Sequence, residues 1–470
     1  MTVRPPDAFC EERDRPHILV VMPQAVASSW VKTVSGIDGF EPWPHQYSIA
    51  SWASEREAAM ISADMGTGKT LTALMSSGAW GRHMLVCDIS RGSGVARADR
   101  LKQAIRTTPA RKTLVVLVNY ESVWRGEVAS VVESTQWQCI VLDESHRVKA
   151  PGGKASRWLA RLAKRQPEAR RLCLTGTPMP QSPLDLYGQF RFLDENIFGR
   201  SFARFRARYA ICDQRFPSKV RKYINQDELA RKLDDHSYRV EADEVLSLPD
   251  AIHETIPVEL SPATKKFYKS LADDLTGDVK NGTVTAGNAL ARLLRLQQAT
   301  SGVAKLDEGG TVQIDGVPAK RRALEDRLSD LAVTEPVVIF CRFRSDLEEV
   351  RACAKELGRE YAEVSGERKD LERWQAGDAV ILGVQIQSGG LGIDCSRAAF
   401  AFYYSLGYSL GDYEQSLARL RRPGQERMVR YYHLVAQGTV DEQVYEALRQ
   451  RRGVIDSILE RLTNKMEVEA

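Results

Sequence analysis

Little in this sequence points to metal clusters, membranes or export. Its eight cysteines (Cys10, Cys87, Cys139, Cys173, Cys212, Cys341, Cys353 and Cys395) are scattered. None forms the C-x-x-C pairs that zinc or dithiol chemistry requires. Several lie in apolar runs such as Gln138–Leu142, where cysteine acts as a small hydrophobe, so they are expected to be reduced, structural thiols. The longest apolar stretches, Ile18–Met22 and Ala398–Tyr404, fall far short of the roughly 20 residues that a membrane-spanning helix needs. Met1–Pro16 is rich in proline and charge and has no apolar centre, which excludes a secretory signal. No low-complexity segment is present.

Net charge is nearly absent as well. The formal +4 is a small excess of 66 basic over 62 acidic residues, so a basic surface has to come from local clustering, and charge alone names no partner. What is present is a long chain of globular composition. At 470 residues with 43% hydrophobic residues, it exceeds one ordinary core and predicts two or three domains in a soluble, intracellular protein.

Short runs rich in β-branched residues recur between helical patterns, at Met84–Cys87, Thr113–Val118, Cys139–Leu142 and Leu172–Leu174. That alternation predicts a parallel sheet covered by helices. A second α/β pattern has strands at Val337–Cys341, Ala379–Val384, Ala398–Tyr404 and Val429–Val435. The expected division is an N-terminal extension over 1–35, a first lobe over 36–210, a helical bridge over 211–250, a second lobe over 251–445, and a C-terminal helix and tail over 446–470. Phe202–Val245 is dense in Arg, Lys and Asp and reads as a connecting segment. Leu306–Pro318, with Gly309-Gly310, reads as a hairpin or surface loop. Val444, Leu448, Ile455, Leu459 and Leu462 have a roughly helical spacing that suits core packing better than a separate coiled coil.

Ala59–Ser62 predicts a buried strand, followed by Ala63-Asp64-Met65-Gly66-Thr67-Gly68-Lys69-Thr70 and a helical run over Leu71–Trp80. A Gly-Lys-Thr tripeptide alone is common; strand, glycine-rich loop and helix in this order make a phosphate loop. Gly66, Thr67 and Gly68 let backbone N–H groups close on phosphates, Lys69 reaches the β- and γ-phosphates of ATP, and Thr70 binds magnesium. Asp143-Glu144-Ser145-His146 stands at the C-terminal end of a predicted parallel strand, where such sheets present catalytic groups. Asp143 is the candidate magnesium ligand and Glu144 the candidate base for the attacking water; the ordinary alternative is a solvated turn. Leu172–Pro178 reads by itself as a common turn, but here Thr175 and Thr177 suit a relay from the γ-phosphate. Gln415–Gln425 carries three arginines, usually a solvated helix face. If two lobes close, Arg419 and Arg422, three apart on one predicted helical face, become candidate arginine fingers.

These blocks, in this order from about Phe40 to Tyr445, resemble superfamily II helicases, and within them the Swi/Snf branch of DNA-translocating ATPases in a compact phage or bacterial form. Phe40–Gln46 is similar to the upstream glutamine motif, with Gln46 at the position that reads adenine. Ala63–Thr70, Asp143–His146 and Thr175–Pro178 resemble motifs I, II and III, with His146 coupling. Ser182–Tyr187, Val258–Ser261 and Leu293–Gln298 are also similar to the branch. Val338–Phe343, Ser388–Asp394 and Gln415–Gln425 resemble motifs IV, V and VI. The resemblance implies nucleotide contacts from Asp394 and Gln415, and nucleic-acid contacts from Arg342, Ser388, Gly389 and Gly390. Cys87–Gly92 departs from motif Ia, Tyr408-Ser409-Leu410 stands where relatives have Trp-Asn-Pro, and Arg421 replaces a common histidine.

The fold that the resemblance implies is α/β: two tandem RecA-like lobes of parallel sheets flanked by helices, with the ATP site in the cleft between them. The implied activity is ATP hydrolysis with magnesium, driving movement along DNA. Duplex is favoured over single strands and RNA, with no membrane partner, in the cytoplasm of a bacterial cell or phage-infected host. A strand-separating helicase shares the same motifs, but no wedge element is obvious. An ATP-binding clamp without turnover is a second alternative, and a P-loop ATPase acting on protein or transport a remote third.

Overall fold

The computed structural model describes residues 17–78, 83–109, 111–216, 220–273, 276–279, 282–285, 289–306, 310–388 and 393–466. Two compact units divide the chain: the first takes the residues up to Leu246 together with the segment from Gly453, and the second runs from Ser247 to Arg452.

The first unit contains β1 (His17–Met22), β2 (Ala58–Ala63), β3 (Met84–Asp88), β4 (Thr113–Asn119), β5 (Cys139–Asp143), β6 (Arg170–Thr175), β7 (Ala210–Cys212), β8 (Val220–Tyr223) and β9 (Ser237–Val240). Seven of these strands form one sheet in the order β3-β4-β1-β5-β6-β2-β9, parallel throughout. Strand β1 explains the placement best. All six of its residues are buried; Leu19 and Val21 enter one core and Ile18, Val20 and Met22 the other. A strand covered on both faces reads as an unbroken apolar run, and each such aliphatic burial contributes ~1.5–3 kcal/mol.

Two expected boundaries therefore move. His17–Met22 of the supposed N-terminal extension is an inner strand of the first sheet, and Ala27–Ser35 after it is a helix, because a central strand has no polar face to mark it. The supposed bridge over 211–250 also belongs largely to this unit. Strand β9 pairs with β2, the Asp64 amide donates to the Val240 carbonyl at 3.0 Å, and the Ala242 amide donates to Asp64 Oδ2 at 3.0 Å. Residues read as a connector thus anchor the start of the phosphate loop.

The second unit has β10 (Ala251–Val258), the antiparallel pairs β11 (Thr276–Val279) with β12 (Gly282–Thr285) and β13 (Val303–Lys305) with β14 (Thr311–Gln313), then β15 (Val337–Cys341), β16 (Tyr361–Val364), β17 (Ile381–Gln385), β18 (Phe400–Tyr403) and β19 (Val429–Ala436). Its parallel sheet runs β10-β19-β18-β15-β17-β16. Each main sheet is flanked by helices, as in RecA-like lobes; of the stretch 306–318, read as a hairpin or surface loop, Thr311–Gln313 is the second strand of a hairpin whose first strand, Val303–Lys305, precedes it, and Gly309 lies outside the described residues. The helix Val440–Met466 passes through the expected boundary at 445. Val444 and Leu448 are buried, while Ile455, Leu459 and Leu462 lie beyond the described side chains. No described helix is long and apolar enough to cross a membrane.

A buried aromatic block ties the motif VI helix, Leu410–Leu417, to this sheet. His433 stacks on Tyr403 with ring centroids 4.8 Å apart. Its Nε2 lies 3.0 Å from the Tyr413 hydroxyl and its Nδ1 3.3 Å from the Glu254 carbonyl. The carbonyl can only accept, so Nδ1 carries the proton and Tyr413 donates to Nε2. Burial, and then the charge of His253, push the His433 pKa down to about 4. An unfolded histidine takes its proton near 6.5, so the folded state binds fewer protons between those values. The resulting stability is fully present above pH 6.5 and is lost as pH falls toward 4. At pH 5 the loss is expected to be about 2 kcal/mol. Denaturant titrations of the full chain at pH 7.5 and pH 5 test this: His433→Gln removes that part of the pH dependence, and an unchanged dependence contradicts it.

Candidate functional site

Strand β2 ends at Ala63 and the next helix starts at Lys69. Between them Gly66 and Gly68 have φ of 87° and 80°, left-handed values that glycine adopts without a Cβ penalty. The Thr67 hydroxyl donates to the Asp64 carbonyl at 2.8 Å. Lys69 Nζ folds back onto the carbonyls of Ala63 and Asp64, at 2.7 and 2.9 Å. Gln46 is buried against the loop: its Oε1 accepts from the Trp43 amide at 2.8 Å, and its Nε2 donates to the carbonyls of Thr67 and Gly68, both at 3.3 Å. His45 Nε2 adds a contact to the Thr67 carbonyl at 2.9 Å. The glutamine expected to read adenine thus has its amide committed to the phosphate loop. Thr70 is in the first turn of the helix, where free N–H groups and the helix dipole favour anions.

Asp143 closes β5 and is buried. Its Oδ2 accepts from Trp30 Nε1 at 2.8 Å and its Oδ1 from the Glu144 amide at 2.9 Å, while the Tyr120 hydroxyl donates to its carbonyl at 2.8 Å. Burial, with the neighbouring Glu144 charge, raises the Asp143 pKa to about 6. A desolvated carboxylate that would gain from a nearby cation fits a magnesium ligand. Glu144 has φ of 51°, a left-handed conformation unusual outside glycine. Its Oε2 lies 3.4 Å from His146 Nδ1, which is 3.2 Å from the Thr175 hydroxyl, and Thr175 Oγ1 accepts from the Thr177 amide at 3.1 Å. The candidate base, coupling histidine and both threonines therefore form one connected chain. Gly176 comes close to the phosphate loop: a Cβ there would meet the Ala63 carbonyl oxygen at 3.4 Å.

Three supporting residues escape sequence reading. Trp30 was hidden in a segment read as an extension, and Tyr120 follows a strand with no motif around it. Gln189 is fully buried; its Oε1 accepts from Ser145 at 2.7 Å and its Nε2 donates to the Pro178 carbonyl at 2.7 Å, joining the acidic motif to the end of Thr175–Pro178. A glutamine inside the apolar helix Leu186–Leu193 was the available signal.

In the second unit, the Arg342 guanidinium bonds Gln297, whose Nε2 donates to the Leu406 carbonyl at 3.0 Å, and the Arg342 amide donates to Ser405 Oγ at 2.8 Å. This candidate nucleic-acid contact is thus engaged within its own lobe. Ser388 ends a single 3-10 turn, and Gly389 and Gly390 lie outside the described residues. The helix expected to carry both arginines on one face stops at Leu417, so Arg419 and Arg422 sit in the following turn. Arg419 is buried and lines a small cavity with Gln415, Asp412 and Phe340. Arg422 is partly exposed, with Nε 3.7 Å from Asp394 Oδ2 and Nη1 3.4 Å from the Ile393 carbonyl. Leu420 between them is buried and pins the turn, which replaces the predicted helical face.

Residues 82–302 match the SNF2-related domain family. The chain is 26% identical over 475 residues to protein p41 of Acyrthosiphon pisum secondary endosymbiont phage 1, covering 91% of this chain and 99% of that protein. It is 22% identical to an uncharacterized ATP-dependent helicase of Mycoplasma pneumoniae, covering 77% of this chain and 35% of the relative. It is 25% identical to the SWI/SNF-related matrix-associated actin-dependent regulator of chromatin subfamily A member 1 of Mus musculus, covering 71% and 32%. The chain spans nearly all of the phage protein and about a third of the other two. With its motifs in order on two parallel-sheet lobes, the chain is similar to the Swi/Snf branch of the superfamily II helicase-like ATPases.

Proposed function

We propose that this chain hydrolyses ATP and uses the energy to move along DNA, with duplex as the track. The observation that carries the reading is a connected chain of Asp143, Glu144, His146 and Thr175 in the same lobe as a phosphate loop that Gly176 approaches closely. Gly66, Thr67, Gly68 and Lys69 hold the phosphates, with Lys69 exchanging its two carbonyl partners for phosphate oxygens. Gln46 couples the adenine side of the nucleotide to the loop it supports. Thr70 and Asp143 hold magnesium, which when bound neutralises phosphate charge. Glu144 takes a proton from the attacking water, and the His146–Thr175 contact passes the state of the site toward Thr177. Arg419 and Arg422 supply positive charge to the transferred phosphate, and Gln415 and Asp394 orient them. Arg342, Ser388, Gly389 and Gly390 contact a nucleic-acid backbone, an interaction that positions without specifying sequence.

Trp30→Phe tests the magnesium assignment. It removes the hydrogen bond that favours the Asp143 carboxylate, and at about 1.5–3 kcal/mol for a bond to a charged group the magnesium needed for half-maximal hydrolysis is expected to rise roughly tenfold. An unchanged magnesium requirement removes Asp143 from the metal site.

Steady-state hydrolysis without nucleic acid and with single-stranded DNA, duplex DNA or duplex RNA tests the function. Stimulation chiefly by duplex DNA is expected. Stronger stimulation by single strands or RNA favours the strand-separating reading, and no stimulation by any of them overturns the motor assignment.

A further inference from the structure

The segment Phe202–Tyr223 holds seven basic residues against a single carboxylate, Asp213, and the function above makes no use of it. A surface that only keeps a protein soluble mixes both signs evenly; this one is strongly basic, with Arg208 paired to Glu228 and Arg221 to Asp213, and it carries an exposed aromatic ring. Phe216 is 66% exposed, and Ile211 is exposed too.

The base of the element is rigid. Phe205 and Tyr209, on the helix Phe202–Tyr209, are buried and pack against Tyr187 and Phe198 at ring distances of 4.9 to 6.0 Å. Tyr209 also donates to Glu228 at 2.8 Å, which holds Arg208 as well. From that base the β7–β8 hairpin runs outward as a separate two-stranded sheet. Lys222 stands opposite Ile211, so both exposed side chains share one face.

The end of the hairpin is built around Asp213. Its Oδ1 accepts from the amides of Arg215 and Phe216, at 2.8 and 3.1 Å, and its Oδ2 pairs with Arg221 Nε at 2.9 Å. The one carboxylate is spent on shaping the turn, and the turn leaves Arg215 and Phe216 exposed. Neither Arg215 nor Lys222 makes an ion pair among the described residues. An exposed ring with Arg215 next to it in the turn, and Lys222 exposed on the same hairpin, match a nucleic-acid strand, with cations on phosphates and the ring on a base face.

We propose that this hairpin is a second nucleic-acid contact, in which Arg215 and Lys222 hold backbone phosphates and Phe216 stacks on an unpaired base. The preferred DNA is then a duplex adjoining a single-stranded segment. The inference rests on the nucleic-acid reading above, which it deepens by naming the substrate class.

Fluorescence anisotropy without ATP, using a blunt duplex and the same duplex with a single-stranded overhang, is run beside the DNA-stimulated ATPase. The wild type is expected to bind the overhang substrate more tightly. Phe216→Ala removes about tenfold of that preference and leaves blunt-duplex binding unchanged. Arg215→Ala with Lys222→Ala weakens both substrates and lowers the salt slope of log affinity by roughly two. ATP hydrolysis without DNA stays at the wild-type rate in every variant, which guards against misfolding. Equal wild-type affinity for the two substrates, or variants that bind as wild type does, overturns the hairpin proposal while DNA stimulation of hydrolysis stands. Hairpin-dependent binding without DNA-stimulated hydrolysis overturns the motor and keeps the contact, and no binding to either DNA overturns both.

Discussion

Glu144→Gln is expected to lower ATP turnover by about 10²- to 10⁴-fold while nucleotide binding persists. The substitution keeps the size of the side chain and a polar atom near His146 Nδ1, which the carboxylate now meets at 3.4 Å, but an amide cannot accept the proton of the attacking water. In the proposed mechanism phosphate binding falls to other residues, Gly66 to Thr70, whose geometry does not pass through the Glu144 carboxylate. The left-handed backbone at Glu144 is set by the turn after β5 and suits glutamine no worse than glutamate. Single-turnover hydrolysis beside equilibrium binding of a fluorescent ATP analogue separates the two effects. Turnover within a few-fold of wild type removes Glu144 as the base, and lost binding assigns it to the nucleotide pocket instead.

The second large effect is expected at Arg422. A guanidinium that neutralises charge on a transferred phosphoryl group is worth about 10³ to 10⁵ in kcat, and Arg422→Ala is expected to lose roughly that much with little change in ATP affinity. In the structure this side chain is held by Asp394 and the Ile393 carbonyl. Arg422→Lys keeps the charge but loses the planar fork and is expected to recover only a small part of the rate. Asp394→Asn loosens the tether without removing the cation, so its loss is expected to be much smaller than that of Arg422→Ala. Equal losses in both variants would mean that Arg422 serves only to hold Asp394. A wild-type kcat in Arg422→Ala would show that the arginine plays no part in hydrolysis.

Much of this architecture was legible because parallel strands buried on both faces write themselves as apolar runs. Cys139–Asp143, Thr113–Asn119 and Val337–Cys341 are strands where such runs occur. The same rule applied to His17–Met22, but its distance in sequence from the phosphate loop concealed that it lies between β4 and β5. Local pattern gives an element and not its neighbours in the sheet. Trp30 shows the functional consequence, since its bond to Asp143 joins residues 113 positions apart. The basic segment after Phe202 misled for a different reason. Its charge suggested a connector, while the aromatic contacts that fix it to the first lobe lie among Tyr187, Phe198, Phe205 and Tyr209. Arginine spacing predicted a helix through Arg422, whereas the chain leaves the helix at Leu417 to bury Leu420.

The remaining distinction is between moving along a duplex and opening it. Motifs for hydrolysis are common to both, so stimulation of hydrolysis points to the preferred track but does not show whether the strands part. The direct measurement is ATP-dependent displacement of a third strand from a DNA triplex, run beside unwinding of a forked duplex with the same enzyme and with Glu144→Gln as the control. Displacement of the third strand by the wild type, absent in the variant and accompanied by little fork unwinding, is the predicted result. Efficient unwinding of the fork with no triplex displacement would contradict the account.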